Sequence, residues 1–189
     1  MFSRLKIAAT VGVLAAAVVT SALAIASLVP NPATDSFASR ANVNQTAPEF
    51  TGIDHWLNSD PLTMQHLRGK VVLVDFWTYT CINCIHVLPY VETWNQKYKD
   101  QGLQVIGIHT PEYPFERNTD NVKKAIKRLG VTYPVAQDNH NATWNAYDNQ
   151  YWPAFYLIDK KGHIAYTHFG EGDYDQTEAK IKSLLAENP

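Results

Sequence analysis

The feature that most constrains the fold of this chain is an apolar run, VVLVDFW at residues 71–77, which is interrupted only by Asp75 and stops just before a pair of cysteines. Continuous rather than alternating apolarity is typical of a strand buried on both faces of a sheet. After Cys81, apolar residues recur with a helical period as far as about Lys99, and Gly102 then breaks the chain. The sequence therefore predicts that Cys81 and Cys84 lie where a central strand passes into the N-terminus of a helix.

Strand and helix patterns alternate along the rest of the chain. The predicted elements are a strand at 103–109, a helix at 118–129 that ends before Gly130, a short strand near Val135, a helix at about 141–147, strands at 155–159 and 163–169 joined by a turn, and a helix at 175–187. Asp175 and Glu178 have capping-box spacing at the start of the last helix. This order predicts an α/β domain with three layers and a mixed central sheet. Sites in such folds lie at the carboxyl ends of strands, where Cys81 falls.

The N-terminal segment at 7–29 carries no charged residue and is long enough to span a bilayer. Arg4 and Lys6 precede it and no basic residue follows until Arg40, so the positive-inside rule predicts that the remainder lies outside the cytoplasm. We therefore expect residues 1–29 to be an uncleaved, single-pass membrane anchor, with the catalytic part periplasmic or at the cell surface. A cleaved signal sequence is the alternative, because small residues occur near the end of the run.

The remainder of the chain has the composition of a linker followed by one domain. Residues 30–46 are polar, contain prolines and lack periodicity, which indicates a linker. Residues 47–189 are enough for one domain with a sizeable core. The formal net charge of the chain is −2, and the part beyond Arg4 and Lys6 is more acidic still. This charge balance argues against nucleic acid as a partner.

The two cysteines are too close in sequence for their main use to be structural stabilisation. Closing so small a loop gives little entropic stabilisation, so Cys81 and Cys84 are predicted to serve chemistry, with a structural disulfide as the alternative. A metal site is a second alternative, although structural zinc needs four ligands and haem attachment needs a histidine directly after the second cysteine. His86 stands one place later, nearly on the opposite side of a helix from Cys84. A copper site would therefore need His109 or His163, which the fold would have to bring close to the two cysteines.

The residues in and around the cysteine motif resemble those of a known protein family. VDFW followed by the CxxC pair, with Pro89 five residues after the second cysteine, resembles the thioredoxin superfamily. The APEF opening at Ala47, the helix–strand segment at 118–135 and the YLIDKKG stretch are similar to its exported, membrane-tethered TlpA/ResA-like branch, and WTYTCINC is similar to the thioredoxin-like domain of DipZ proteins. The resemblance covers about 47–185. It implies a thioredoxin fold with an extra N-terminal segment and a helix–strand insertion.

The helix N-terminus predicted at Cys81 gives the two cysteines different roles. Unpaired N–H groups and the positive helix end stabilise a thiolate there and lower its pKa from the usual ~8.5. Cys81 is then predicted to attack a client disulfide, and Cys84 to resolve the resulting mixed disulfide. Asp75 is an acid within an apolar strand, and burial raises the pKa of such a carboxyl, so we predict that it accepts the proton of Cys84. A strand residue without a catalytic part is the alternative reading of Asp75.

Further site residues are predicted around the Cys pair. By resemblance, Pro153 is the cis-proline that faces the disulfide and belongs to the catalytic site. Trp77, Tyr79 and Trp152 are predicted to bind substrate, forming with Tyr151 an aromatic rim for an extended peptide. The alternative is that these aromatic side chains belong to the buried core.

The sequence as a whole predicts an extracytoplasmic thiol–disulfide oxidoreductase that acts on exported client proteins and needs no cofactor. The residues leave the direction of electron flow open, whereas the resemblance implies a reductant that receives electrons from a membrane electron-transfer protein. A thiol peroxidase of the redoxin group is the enzymatic alternative, but no basic residue lies near Cys81 in sequence. A copper chaperone or metal-binding module is the alternative from another class. The loop at 109–117 is expected to be surface structure beside the site.

Overall fold

The computed structural model describes residues 43–188 of the chain. Its strands are β1 (His55–Leu57), β2 (Val71–Trp77), β3 (Leu103–His109), β4 (Val135–Gln137), β5 (Ala154–Ile158) and β6 (Ile164–Phe169). Its α-helices are α1 (Ile82–Tyr98), α2 (Thr119–Leu129), α3 (Ala142–Ala146) and α4 (Tyr174–Ala186), with short 3₁₀ helices at Lys99–Gln101 and Pro114–Arg117. The strands form one sheet in the order β1–β4–β3–β2–β5–β6. The β2–β3 and β3–β4 pairs are parallel and the other three are antiparallel, so the sheet is mixed as predicted.

Strand β2 is the buried central strand that its apolar sequence predicts. All seven of its residues are buried, and it pairs with β3 on one side and β5 on the other. Because side chains alternate along a strand, Leu73 and Trp77 point to one face of the sheet while Val74 and Phe76 point to the other. Asp75 lies between Val74 and Phe76 in sequence and therefore shares the face of Leu73 and Trp77.

Helices cover both faces of the sheet, which confirms the three-layer architecture. The face of Leu73 and Trp77 packs against apolar side chains of α1, α2 and α4: Cys84, Val87, Val91, Val122, Ile126, Ile181 and Leu184. The opposite face packs against Trp144 of α3 and against Met64 and Leu67 of the segment before β2. The cysteine motif is thus attached to the larger of the two hydrophobic clusters.

Most helices begin and end close to the residues that the local capping signals in the sequence predict. Helix α2 begins after Asn118, whose side chain accepts a hydrogen bond from Asn121 N, and ends at Gly130 with a left-handed φ of 70°. The capping box predicted for Asp175 and Glu178 is wrong. Helix α4 already begins at Tyr174, and the Glu178 carboxylate instead accepts hydrogen bonds from Lys97 Nζ and the Tyr98 hydroxyl of α1.

The N-terminal part of the described chain packs on both edges of the sheet. Strand β1 pairs antiparallel with β4, and Thr46 bridges to His163 beside β6. Asn44 N donates to the Ile164 carbonyl, so residues at the end of the predicted linker contact the domain. No helix within residues 43–188 is long and apolar enough to cross a membrane. The predicted anchor at 1–29 lies outside the described residues.

Candidate functional site

The two cysteines stand at the junction of β2 and α1, as the sequence predicts. Cys81 is the N-cap residue of α1, its sulfur accepts a hydrogen bond from Cys84 N at 3.2 Å, and the two side chains form a disulfide with a Cα–Cα distance of 5.2 Å. Cys81 is partly exposed, whereas Cys84 is fully buried among the side chains of the larger cluster. An incoming thiol or disulfide therefore has access to Cys81 before Cys84.

Asp75 lies fully buried on the sheet face that carries Cys84. Burial raises the pKa of Asp75 to about 7, although a hydrogen bond from the Tyr133 hydroxyl to its Oδ2 at 3.5 Å opposes the shift. Gly107 is its partner on β3, and a Cβ there would come within 2.8 Å of Trp77 Nε1 and 3.0 Å of the Tyr133 ring. The lack of a side chain at Gly107 thus makes room for the groups around this carboxyl.

The predicted aromatic rim is only partly at the surface. Trp77 is fully buried, so its predicted role in binding substrate is wrong: it faces the core beneath α1. Tyr79 retains 8% exposure, and Tyr151 is about half exposed at 48%. Trp152 is partly buried, packs against Trp144 with ring centroids 4.1 Å apart and the rings tilted by 37°, and donates from Nε1 to the Thr110 carbonyl. Client binding by Tyr79 and Trp152 stays a prediction.

Pro153 follows a cis peptide bond from Trp152, as the family resemblance implies. It lies directly before β5, whose register pairs Ala154 with Phe76. Continuing that register by one residue brings Pro153 opposite Trp77, at the end of β2 from which the chain runs into the cysteine motif. The structure therefore brings Pro153, Asp75 and the Cys pair to neighbouring positions at one end of β2.

The histidine weighed as a copper ligand at the end of β3, His109, belongs instead to the buried core beside the motif. His109 ends β3, and its Nε2 lies 3.3 Å from Thr78 Oγ1, while its ring stacks on Tyr79 at 5.5 Å. Burial lowers the pKa of His109 to about 4, although the charge of Glu116 acts in the opposite direction. His109 is therefore neutral at physiological pH and packs as a core residue behind Tyr79.

The loop at 109–117 is anchored rather than purely superficial, because Glu116 is fully buried. Its carboxylate accepts hydrogen bonds from Thr80 Oγ1 at 2.5 Å and from the backbone N–H groups of Glu112 and Tyr113 at 2.7 and 2.9 Å. Burial raises the pKa of Glu116, but these hydrogen bonds outweigh it and hold the pKa below the usual value. Glu116 thus ties this loop to the residue immediately before Cys81. Glu116 stands between Phe115 and Arg117, and nothing in this local sequence indicates its burial.

We expect Glu116→Gln to destabilise the protein by about 1–3 kcal/mol, because the amide cannot accept from all of these donors and the charge-assisted bonds are lost. Since the folded-state pKa of Glu116 is lowered, its contribution is present above the usual carboxyl pKa and disappears as the pH falls through the folded value. Denaturant titration at neutral and acidic pH measures this effect. The exposed Glu112→Gln is the matched control and should change stability little.

The histidines weighed as metal ligands do not converge on the cysteines. His86 is exposed and pairs with Glu171 at 3.1 Å, and His163 lies 3.6 Å from Asp159. Within residues 43–188, no group of three or more His, Cys, Asp and Glu side chains is arranged to hold a metal ion.

Known proteins similar to this chain share both its sequence and its architecture. Residues 42–185 match the family model described as Redoxin. The protein DipZ of Mycobacterium tuberculosis is 54% identical over 143 residues, which cover 74% of this chain but only 21% of that protein, so the chain spans about a fifth of the length of this relative. The thiol-disulfide oxidoreductase YkuV of Bacillus subtilis is 30% identical over 145 residues, covering 77% of this chain and 97% of the relative.

The same similarity extends to solved structures. The crystal structure of a thioredoxin-like superfamily protein matches with a TM-score of 0.71 and 29% identity, covering 76% of this chain and 97% of the other. The predicted thioredoxin fold and the resemblance to TlpA/ResA-like oxidoreductases are thereby confirmed.

Proposed function

The chain belongs to the redoxin family, and we propose that it is a thiol–disulfide oxidoreductase that reduces disulfides of client proteins outside the cytoplasm. The observation that carries this proposal is the Cys81–Cys84 disulfide across the first turn of α1, with one sulfur accessible and the other buried. YkuV, which this chain covers nearly in full, bears the name of a thiol-disulfide oxidoreductase. Family and geometry thus support the same reaction.

The reaction runs through two thiol–disulfide exchanges in the reduced protein. The Cys81 thiolate attacks one sulfur of the client disulfide, and the other client sulfur leaves as a thiolate and takes up a proton. Cys84 then loses its proton and attacks the Cys81 sulfur, which releases the second client sulfur and closes the Cys81–Cys84 disulfide. Two electrons pass from the protein to the client, and the two client thiolates that leave take up their protons from water. Asp75, buried on the Cys84 side of the sheet with a pKa of about 7, accepts the proton of Cys84.

The thiol peroxidase alternative finds less support at this site. A peroxidase needs a hydroxyl and a guanidinium that support the peroxide at its cysteine. The threonines nearest in sequence are both engaged elsewhere, Thr78 with His109 and Thr80 with Glu116. The disulfide between Cys81 and Cys84 instead fits thiol–disulfide exchange, in which these two cysteines start as thiols and end as a disulfide with each other.

The test of the proposed function is the reduction potential of the Cys pair together with its activity on a protein disulfide. We expect a potential closer to the about −270 mV of thioredoxin than to the about −120 mV of strongly oxidising relatives, and reduction of a model protein disulfide by the reduced chain. Equilibration with dithiothreitol buffers, followed by alkylation of free thiols, gives the potential. An oxidising potential would reverse the direction of electron flow, and the absence of any exchange would overturn the function.

We also propose that residues 1–29 anchor the protein in the membrane and that a membrane electron-transfer protein reduces it. The support is the uncharged run at 7–29 after Arg4 and Lys6. A C-terminal reporter that works only in the cytoplasm should stay silent, and the mature protein in the membrane fraction should retain Met1. A soluble product that begins near Ile25 would exclude the anchor but not export, whereas an active cytoplasmic reporter would exclude export.

A further inference from the structure

A shallow pocket of about 240 Å³ lies beside the cysteine motif. It is lined by Tyr79, Asn121, Lys124, Ala125 and Arg128. One wall therefore belongs to the segment between β2 and Cys81, and the other belongs to α2. Tyr79 is fixed in this wall, because its ring stacks on His109 and its hydroxyl donates to the Phe115 carbonyl at 3.3 Å.

The pocket is positively charged within an otherwise acidic chain. Helix α2 carries four of the 16 basic side chains of the chain and only one of the 18 acidic ones. Lys124 and Arg128 are one helical turn apart, so their side chains share a face of α2, and both are exposed. Within residues 43–188 neither forms an ion pair, whereas their neighbour Lys123 lies 3.9 Å from Asp120. Two cations at one opening favour an anionic occupant.

We propose that this pocket binds a carboxylate side chain of the client while the client cysteine is joined to Cys81, so that clients with Asp or Glu near the reactive cysteine react faster. The inference rests on the proposed function and adds a substrate preference to it. The Cα atoms of Tyr79 and Cys81 are at most about 7 Å apart, because two residues of chain span no more than that. When the client cysteine is joined to Cys81, a client residue within about four positions of that cysteine can therefore reach the pocket.

The experiment measures how fast the reduced full-length chain reduces disulfide peptides that differ only in the residues flanking their cysteines: Asp, Asn or Lys. We expect the Asp peptide to react about three- to tenfold faster than the Asn peptide at low salt and the Lys peptide to react more slowly, with the differences shrinking as salt is added. The double substitution Lys124→Glu/Arg128→Glu should reverse this order. The milder Lys124→Gln/Arg128→Gln should abolish the preference and tests the same point with less perturbation.

The matched control is Lys123→Glu/Lys127→Glu. It changes the net charge of α2 by the same amount, but at positions that do not line the pocket. We expect it to retain the preference for the Asp peptide. If the control and the pocket variant lose the preference for the Asp peptide equally, the overall charge of α2 acts at long range. That result would overturn the proposed binding site. Equal rates of the wild type on all three peptides would overturn the preference, whereas failure to reduce any peptide would overturn the proposed function itself.

Discussion

Replacing Cys84 by Ser is expected to turn the protein into a trap that accumulates mixed disulfides with its clients. Cys81 is accessible at the N-cap of α1 and still forms a mixed disulfide, but the buried thiol that would release the client is gone. Multiple-turnover activity should be abolished while adducts build up that dithiothreitol dissolves. Non-reducing electrophoresis and mass spectrometry after an acid quench measure both effects.

The matched variant Cys81→Ser separates the roles of the two sulfurs. It should be equally inactive but should accumulate few adducts, because Cys84 is fully buried and a client disulfide has no access to it. Adducts attached to Cys84 in this variant, at a level similar to those on Cys81 in the other, would reverse the assignment of the nucleophile.

The same pair of variants tests the alternative functions. A thiol peroxidase would convert Cys81 of Cys84→Ser to a sulfenic acid rapidly when peroxide is added, and no client protein would be needed. A metal-binding module would form neither product and would lose bound metal equally with either substitution. A dominant sulfenic acid or an equal loss of metal would each contradict the proposed oxidoreductase.

Much of the fold was predictable because strong local signals coincide with the tertiary structure. The runs at 71–77 and 103–109 are strands with those same bounds, and Asn118 and Gly130 mark the ends of α2. In each case one physical cause operates within a few residues: burial on both faces of a sheet, or the hydrogen-bonding needs of a helix end. The position of Cys81 at the start of a helix followed from the same reasoning.

The features that the sequence did not predict depend on contacts between distant segments. Glu178 has the spacing of a capping residue but binds Lys97 and Tyr98, which lie about 80 residues earlier in the chain. Glu116 looks like a surface acid, and only the fold brings Thr80 to it. Trp77 was expected to face a client because it adjoins the motif, yet strand alternation directs it into the core. Local patterns carry no information on such pairings.

The substitution Asp75→Asn is expected to slow the resolving step by about tenfold to a hundredfold near neutral pH, while the first attack by Cys81 changes less. A carboxyl with a pKa of about 7 is partly ionised at that pH and is suited to accept a proton from Cys84. The defect should shrink as the pH rises, because Cys84 then ionises increasingly without the help of a nearby base. Rapid-quench kinetics of mixed-disulfide formation and decay give the two steps separately. Wild-type rates for resolution across this pH range would exclude Asp75 as the proton acceptor.

The Asp75 carboxylate should also make the stability of the protein depend on pH. Because burial raises the folded-state pKa of Asp75 from 3.8 to about 7, the folded protein binds a proton that the unfolded chain has lost between these values. Stability contributed through this group is therefore greatest at acidic pH, falls as the pH rises from about 4 to about 7, and stays constant above. The shift corresponds to a cost of about 4 kcal/mol at pH 8.

Asp75→Asn has no charge to bury, so its stability relative to the wild type should increase by up to about 4 kcal/mol between pH 4 and pH 8. His109, buried with a lowered pKa, gives a slope of opposite sign below its usual pKa of about 6.5 in both proteins and cancels in this comparison. Tyr133→Phe is the control that keeps the carboxyl but removes a hydrogen bond that lowers its pKa, so its stability should fall with rising pH at least as much as that of the wild type. Denaturant titrations of the three reduced proteins across this pH range measure the difference. Parallel pH profiles for the wild type and Asp75→Asn would mean that folding does not raise the pKa of Asp75, and would remove the basis for its role in proton transfer.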